Sequence, residues 1–242
     1  MNSAPPTPVQ LPLMLPHRPA QGRDDFLVAP CNEEAVAWID RWPDWPAPAL
    51  ALFGPAGSGK THLLHVWAES AGAPVWDART LTVGDLDARL GGARAVALDE
   101  AERADEPDAL FHLYNMLRER EGSLLLAARA APARWTFGRA DMRSRLAAAP
   151  AVELGAPDDA LLGAVLVKLF ADRQLPVGSD VVSYILGRMT RTFAAAGAVV
   201  ERLDRLALAE RRRITLPLAR RALEELESEA GDADAARPDE DH

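Results

Sequence analysis

A chain of 242 residues, 48% hydrophobic and 26% charged, can bury a substantial core and suits one α/β domain with a smaller appendage. Its one cysteine, Cys31, excludes an intrachain disulfide and a cysteine metal cluster, which suits a reducing, cytoplasmic setting. No basic segment precedes an apolar one at the N-terminus and no apolar run nears membrane-spanning length, so neither a secretory leader nor a membrane span is expected.

In chain order, residues 1–24 are Pro-rich without amphipathic period and predict an extended arm. Within it, Gln10 is followed by Leu11, Leu13 and Leu15. Apolar side chains in such an arm have no core to enter, so they read either as a docking peptide for a partner's groove or as an accidental apolar patch. An α/β domain is expected over residues 25–156. It opens with a short helix from Glu33 to Trp42, started by Asn32 as N-cap and ended by Pro43, Pro46 and Pro48.

The apolar run Ala49 to Phe53 leads into Gly54-Pro55-Ala56-Gly57-Ser58-Gly59-Lys60-Thr61, and the helix-like His62 to Ala68 follows. This is a complete phosphate-binding P-loop in the strand-loop-helix context that the motif requires. Glycines let backbone N–H groups converge on phosphate oxygens, and the helix N-terminus adds its positive dipole end. Lys60 is expected to reach the β/γ-phosphates of ATP or ADP, and Thr61 to hold Mg²⁺.

Short strands at Ala73 to Trp76, Ala93 to Leu98, Ser123 to Ala127 and Ala151 to Leu154 alternate with helices at Val83 to Leu90 and Glu106 to Arg120. With Ala49 to Phe53 they predict a five-stranded parallel sheet flanked by helices. The strand ending in Asp99-Glu100 places two acids at the carboxyl edge of the sheet, beside the P-loop. Asp99 can then join the Mg²⁺ shell, and Glu100 can orient or deprotonate the attacking water. A run of arginines, Arg134, Arg139, Arg143 and Arg145, precedes the last strand. In nucleotide machines an arginine from a neighbouring subunit stabilises the phosphoryl-transfer transition state, although spacing alone equally fits an exposed basic helix.

From Asp158 onward no strand is expected. Helices at Leu161 to Arg173, Ser179 to Arg188, Phe193 to Glu210 and Leu216 to Leu226 make residues 157–228 a helical lid domain, with the boundary near Gly155-Ala156-Pro157-Asp158. Residues 229–242 predict a disordered acidic tail beyond about Ala230. Between Glu224 and His242 nine acids face only Arg237, a net of −8 out of the chain's −9.

Taken together, these residues resemble the Hda family, relatives of the replication initiator DnaA within the AAA+ ATPases. The resemblance covers roughly residues 10–228. Gln10-Leu11-x-Leu13 is similar to that family's sliding-clamp-binding peptide. Phe26-Leu27-Val28 with Asn32 is similar to its adenine-pocket segment. Gly59-Lys60-Thr61-His62-Leu63-Leu64, Phe111-His112-Leu113-Tyr114-Asn115 and Arg143-Ser144-Arg145-Leu146, the arginine-finger box, also match.

The resemblance implies a regulator that docks on the DNA-loaded clamp, the β subunit of DNA polymerase III, and stimulates hydrolysis of DnaA-bound ATP, touching DNA only through the clamp. Self-association into a homo-oligomer is compatible with it. Two departures bear on the chain's own hydrolysis. Where relatives carry a polar sensor after the fourth strand, this chain reads Leu126-Ala127-Ala128-Arg129. The lid's sensor arginine is Arg191 by one match, while a gapless match from Leu203-Asp204-Arg205 puts Ala194 there. Feeble intrinsic hydrolysis is therefore expected, with an initiator-like DNA-binding domain replaced by the acidic tail. A self-sufficient ATPase, such as a helicase loader or remodelling motor, is the alternative that Lys60, Asp99 and Glu100 permit.

Overall fold

The computed structural model describes residues 27–136, 138 and 140–235, with side chains to Glu229. Five parallel strands, β1 (Ala49–Phe53), β2 (Val75–Asp77), β3 (Ala95–Asp99), β4 (Ser123–Ala128) and β5 (Ala151–Glu153), form one sheet in the order β2-β3-β4-β1-β5. The central strands are apolar throughout because both faces are covered. Ala49, Ala51, Val96, Leu98, Leu124 and Leu126 point to one side, and Leu50, Leu52, Ala95, Ala97 and Leu125 to the other.

The first face is covered by α3 (Leu86–Leu90), α4 (Pro107–Glu119) and α5 (Ala140–Ala147), through Leu86, Leu90, Leu110, Leu113, Leu117, Met142 and Leu146. The second is covered by α1 (Glu33–Asp40) and α2 (Lys60–Ala71), through Val36, Ile39, Leu63, Leu64 and Trp67. The Pro-Trp connector between α1 and β1 is fastened to that layer. Trp45 stacks on Trp67 with centroids 5.4 Å apart, and Trp42 Nε1 donates to Ser123 Oγ at 3.0 Å. Burying aromatics with their N–H groups partnered fixes a segment that three prolines keep out of regular structure.

After Asp158, whose carboxylate accepts from Leu161 N at 2.7 Å as an N-cap, four helices pack on one another: α6 (Asp159–Asp172), α7 (Ser179–Leu186), α8 (Phe193–Glu210) and α9 (Leu216–Ala235). Leu162, Phe170, Ile185, Val200, Leu203 and Ala219 form their separate core.

Three local expectations are corrected. Asn32 directly precedes α1 but makes no side-chain cap; its amide is turned to the residues before it. The stretch expected as one helix from Val83 to Leu90 splits into a 3₁₀ turn at Val83–Asp85 and α3. Gly84 weakens it, and Val83 N–H donates instead to Glu106 Oε2 at 3.0 Å. The last helix, expected to end at Leu226 with disorder beyond about Ala230, continues to Ala235.

The cause of the longer α9 lies on another helix. Arg202 of α8 reaches Glu225 at 2.8 Å and Glu229 at 2.5 Å, tying α9 to α8 within one turn of Leu226, the last of its residues packed on the lid core. Arg202 holds the Glu229 carboxyl below its ordinary value. A carboxylate with a depressed native pKa stabilises above its unfolded pKa and loses that contribution as pH falls through the native value. Protection of amides 225–229 against hydrogen exchange is therefore expected to hold at pH 7 and to fall below about pH 4.5. Arg202→Ala should remove it at pH 7 as well; unchanged protection in that variant would refute the tie.

Candidate functional site

Strand order sets the geometry. The loop after β1 and the acids ending β3 lie on the same carboxyl edge, with β4 between them: Phe53 pairs Ala128, and Leu98 pairs Leu126. Gly54, Gly57 and Gly59 take φ of 150°, 77° and 94°, so the loop curls as only glycine readily allows, and α2 starts at Lys60. A loop of this shape, with Pro55, Ala56 and Ser58 completing it, sets the N-terminus of a twelve-residue helix at its base, where anions are favoured.

Lys60 folds over its own loop, donating to Gly54 O at 2.9 Å and Pro55 O at 2.8 Å. Partial burial pushes its pKa down, and nearby Asp99 and Glu102 pull it back up. Thr61 Oγ1 donates to Asp99 Oδ2 at 2.8 Å. A hydroxyl and a carboxylate brought together across 38 residues form the hard oxygen pair that Mg²⁺ takes. Among the described residues no group of three or more His, Cys, Asp or Glu could hold a metal alone, so the pair fits an ion completed by phosphate oxygens and water.

Glu100 sits in the left-handed region at φ 51°, and its carboxylate pairs with Arg103 at 3.1 Å. The segment Leu27, Val28 and Asn32 is joined through Cys31 to Gly155, which follows Leu154, the residue that lies against Gly54 of the loop. The Asn32 amide accepts from Ala29 N at 2.8 Å and donates to Leu27 O at 3.0 Å, while Cys31 O accepts from Gly155 N beside the end of β5. Asn32 is only 2% exposed and latches this segment, whereas the side chain of Val28 is open. His62 lies in the first turn of α2. Gln10, Leu11, Leu13, Leu15, Phe26 and Arg139 lie outside the described residues.

Arg191 is not brought to the loop by its side chain, which pairs with Asp159 at 2.8 Å on the lid surface. Its neighbours are. A Cβ at Gly57 would come within 2.3 Å of Thr192 Cγ2, and one at Gly59 within 3.1 Å of the Phe193 ring, so the start of α8 lies directly on the loop. Arg145, of the arginine-finger box, does not stand free on an exposed basic helix but is half-buried and leans on α4: Nη1 donates to Asn115 Oδ1 at 2.9 Å. Arg143 Nη1 donates to Gly138 O at 2.6 Å.

Four residues that the motifs did not point to belong to this edge: Glu102, Arg129, Thr192 and Phe193. Glu102 Oε1 accepts from Arg129 N at 2.8 Å, fixing the chain where it leaves β4. The sequence contained a signal only for Arg129, which follows the alanines in place of a polar sensor.

Comparison with known proteins agrees with this architecture. Residues 159–223 match the family model for the lid domain of Hda. The chromosomal replication initiator protein DnaA of Tropheryma whipplei (strain Twist) is 22% identical over 234 residues, covering 86% of this chain and 49% of that protein. The chain thus spans about half the length of such curated relatives. Domain III of the Thermotoga maritima replication initiation protein DnaA superposes with a TM-score of 0.72 at 16% identity, covering 87% of this chain and 98% of that one. AMPPCP-bound DnaA from Aquifex aeolicus superposes with a TM-score of 0.63 at 19% identity, over 80% and 67%. At such identities the structural likenesses establish the fold: a five-stranded parallel α/β sheet followed by helices. With that fold, these relatives and the lid match, the chain is an Hda/DnaA-related AAA+ protein.

Proposed function

We propose that this chain binds ATP or ADP with Mg²⁺ at the P-loop and regulates replication initiation. In this reading it docks through its N-terminal arm on the DNA-loaded sliding clamp, the β subunit of DNA polymerase III. There it stimulates hydrolysis of ATP held by DnaA through Arg145 acting in trans. The observation that carries the reading is the match of residues 159–223 to the Hda lid domain, on a chain that keeps the complete P-loop.

For the chain's own nucleotide, Lys60 would exchange its two carbonyl partners for phosphate oxygens, gaining charge complementarity. Thr61 and Asp99 would hold Mg²⁺, which when bound spreads the negative charge of the phosphates. Leu27, Val28 and Asn32, with Phe26, would flank the base. Hydrolysis in cis is poorly provided for. Glu100 is engaged by Arg103, Ala127 and Ala128 present no polar group, and Arg191 is engaged by Asp159. The nucleotide then serves chiefly as a structural ligand joining sheet and lid at the contact of Gly57 with Thr192.

Replacing Gln10, Leu11 and Leu13 by alanine is expected to abolish clamp binding while leaving nucleotide affinity unchanged, as read by surface plasmon resonance and calorimetry. Full clamp affinity in a chain lacking residues 1–20 would place the docking peptide elsewhere. The second reading, a self-sufficient ATPase, draws on the Thr61–Asp99 contact. Sustained turnover by the isolated chain, without partners, would favour it; slow turnover is the expected result.

A further inference from the structure

Four guanidinium groups of the lid are answered by carboxylates: Arg191 by Asp159, Arg202 by Glu225 and Glu229, and Arg212 and Arg221 by Glu210. Two others converge on a tyrosine instead. Arg188, just after α7, stacks on the Tyr184 ring with Cζ 3.9 Å from its centroid, and Arg220 of α9 donates from Nε to the Tyr184 hydroxyl at 3.3 Å. Both arginines are exposed, and among the described residues no carboxylate pairs with either. Glu224, one turn beyond Arg220 on α9, acts on it only through space. The Tyr184 ring rests on the lid core, so the two cations stand on a fixed platform.

Two like charges held beside one ring repel, and an anion seated between them removes the repulsion. A phenol that accepts from Arg220 keeps its own proton to donate. Two guanidinium forks and one hydroxyl therefore offer donors with no charged acceptor, the set that a phosphate group takes. The chain leading from α8 into α9 adds Arg211, Arg212 and Arg213, all exposed. The acids of α9 lie toward its other end, and Arg220 is about 22 Å from Ala235 along the helix, so the acidic tail leaves far from these arginines.

We propose that Tyr184, Arg188 and Arg220 form a phosphate-binding site for the backbone of duplex DNA, extended by the arginines that lead into α9. The pair alone would serve a single phosphate. A row of further arginines on the adjoining chain fits a partner that repeats its charge, one per about 1.7 Å of duplex axis. Such contacts hold the backbone and read no bases, so binding is independent of sequence. The site rests on the reading of a chain that works at a DNA-loaded clamp only for why a duplex is near, and it supplies a direct contact through which the chain can sense the loaded state.

The test is fluorescence anisotropy of a short labelled duplex of arbitrary sequence, titrated with the full chain between about 50 and 200 mM KCl. The parent should bind with a dissociation constant of about 10⁻⁴–10⁻⁶ M. Arg188→Gln/Arg220→Gln should weaken binding roughly tenfold and reduce the slope of log affinity against log salt by about two. Tyr184→Phe keeps the ring under Arg188 and removes the hydroxyl, and should weaken binding about fivefold. Arg41→Gln/Arg94→Gln removes the same charge outside the lid and should stay within about twofold of the parent, since distant exposed charges are screened. Equal thermal melts check that the variants are folded. No duplex binding by the parent, parent-like affinity and slope in the Arg188/Arg220 variant, or an equal loss in the control pair would each overturn the site. An Arg188/Arg220 variant that keeps duplex binding but loses clamp or DnaA binding would assign the patch to an acidic protein surface and overturn it as well. Neither clamp nor DnaA enters the duplex titration, so a parent that binds duplex through these arginines but never binds clamp removes the clamp reading and leaves the site standing.

Discussion

Lys60→Ala is expected to abolish binding of ATP and ADP and with it the stabilisation that nucleotide confers. The ammonium is already drawn to the mouth of the loop by the Gly54 and Pro55 carbonyls, so it needs no long excursion to meet a phosphate. Removing it leaves the loop's backbone donors and the α2 dipole without a fixed charge. A ligand that binds only the folded chain at a hundredfold excess over its dissociation constant contributes about 2.7 kcal/mol. For a chain of this size that corresponds to a rise of roughly 5–10 °C in Tm, present in the parent and absent in the variant. Titration calorimetry and thermal melts with and without ADP measure both effects. Unchanged affinity in Lys60→Ala would remove the P-loop from the account.

Arg145→Ala is expected to leave folding, nucleotide binding and clamp binding at parent levels and to eliminate stimulation of hydrolysis on DnaA. An arginine supplied in trans contributes about 10³–10⁵ in phosphoryl-transfer rate. Arg145→Lys should recover little, because an ammonium can neither form a two-toothed contact with phosphoryl oxygens nor hold the Asn115 anchor in the same geometry. Arg143→Ala should matter less, as its guanidinium is turned back to Gly138 O on its own segment. Full stimulation by a folded, clamp-bound Arg145→Ala protein would move the assignment to Arg143 or Arg139.

The parts of this molecule written in local pattern are legible in its sequence. Ala49–Phe53 and Phe193–Glu210 have the bounds that periodicity predicts, since continuous burial and a helical apolar stripe each leave a clear signature. The P-loop and its acidic partner are legible because spacing and flanking elements specify them together. Contacts between distant segments are not. Nothing near Glu229 announces Arg202, so the extent of α9 is missed. Asn32 has the right identity for a helix cap, yet it is spent on Leu27 and Ala29, a competition that residue type cannot resolve. The same holds at the site: Glu102 on Arg129, Thr192 on Gly57 and Asn115 on Arg145 are pairings of tertiary origin, and each changes what its partner is free to do.

This chain is expected to act on nucleotide held by another protein. The most direct test is single-turnover hydrolysis of radiolabelled ATP preloaded on purified DnaA, followed with clamp on DNA, clamp without DNA, and no clamp. The chain is expected to accelerate conversion to ADP when the clamp is loaded on DNA and the arm is intact, with little effect when either is missing. An unchanged rate of DnaA-bound ATP hydrolysis under all three conditions, with a folded and nucleotide-bound chain, would contradict it.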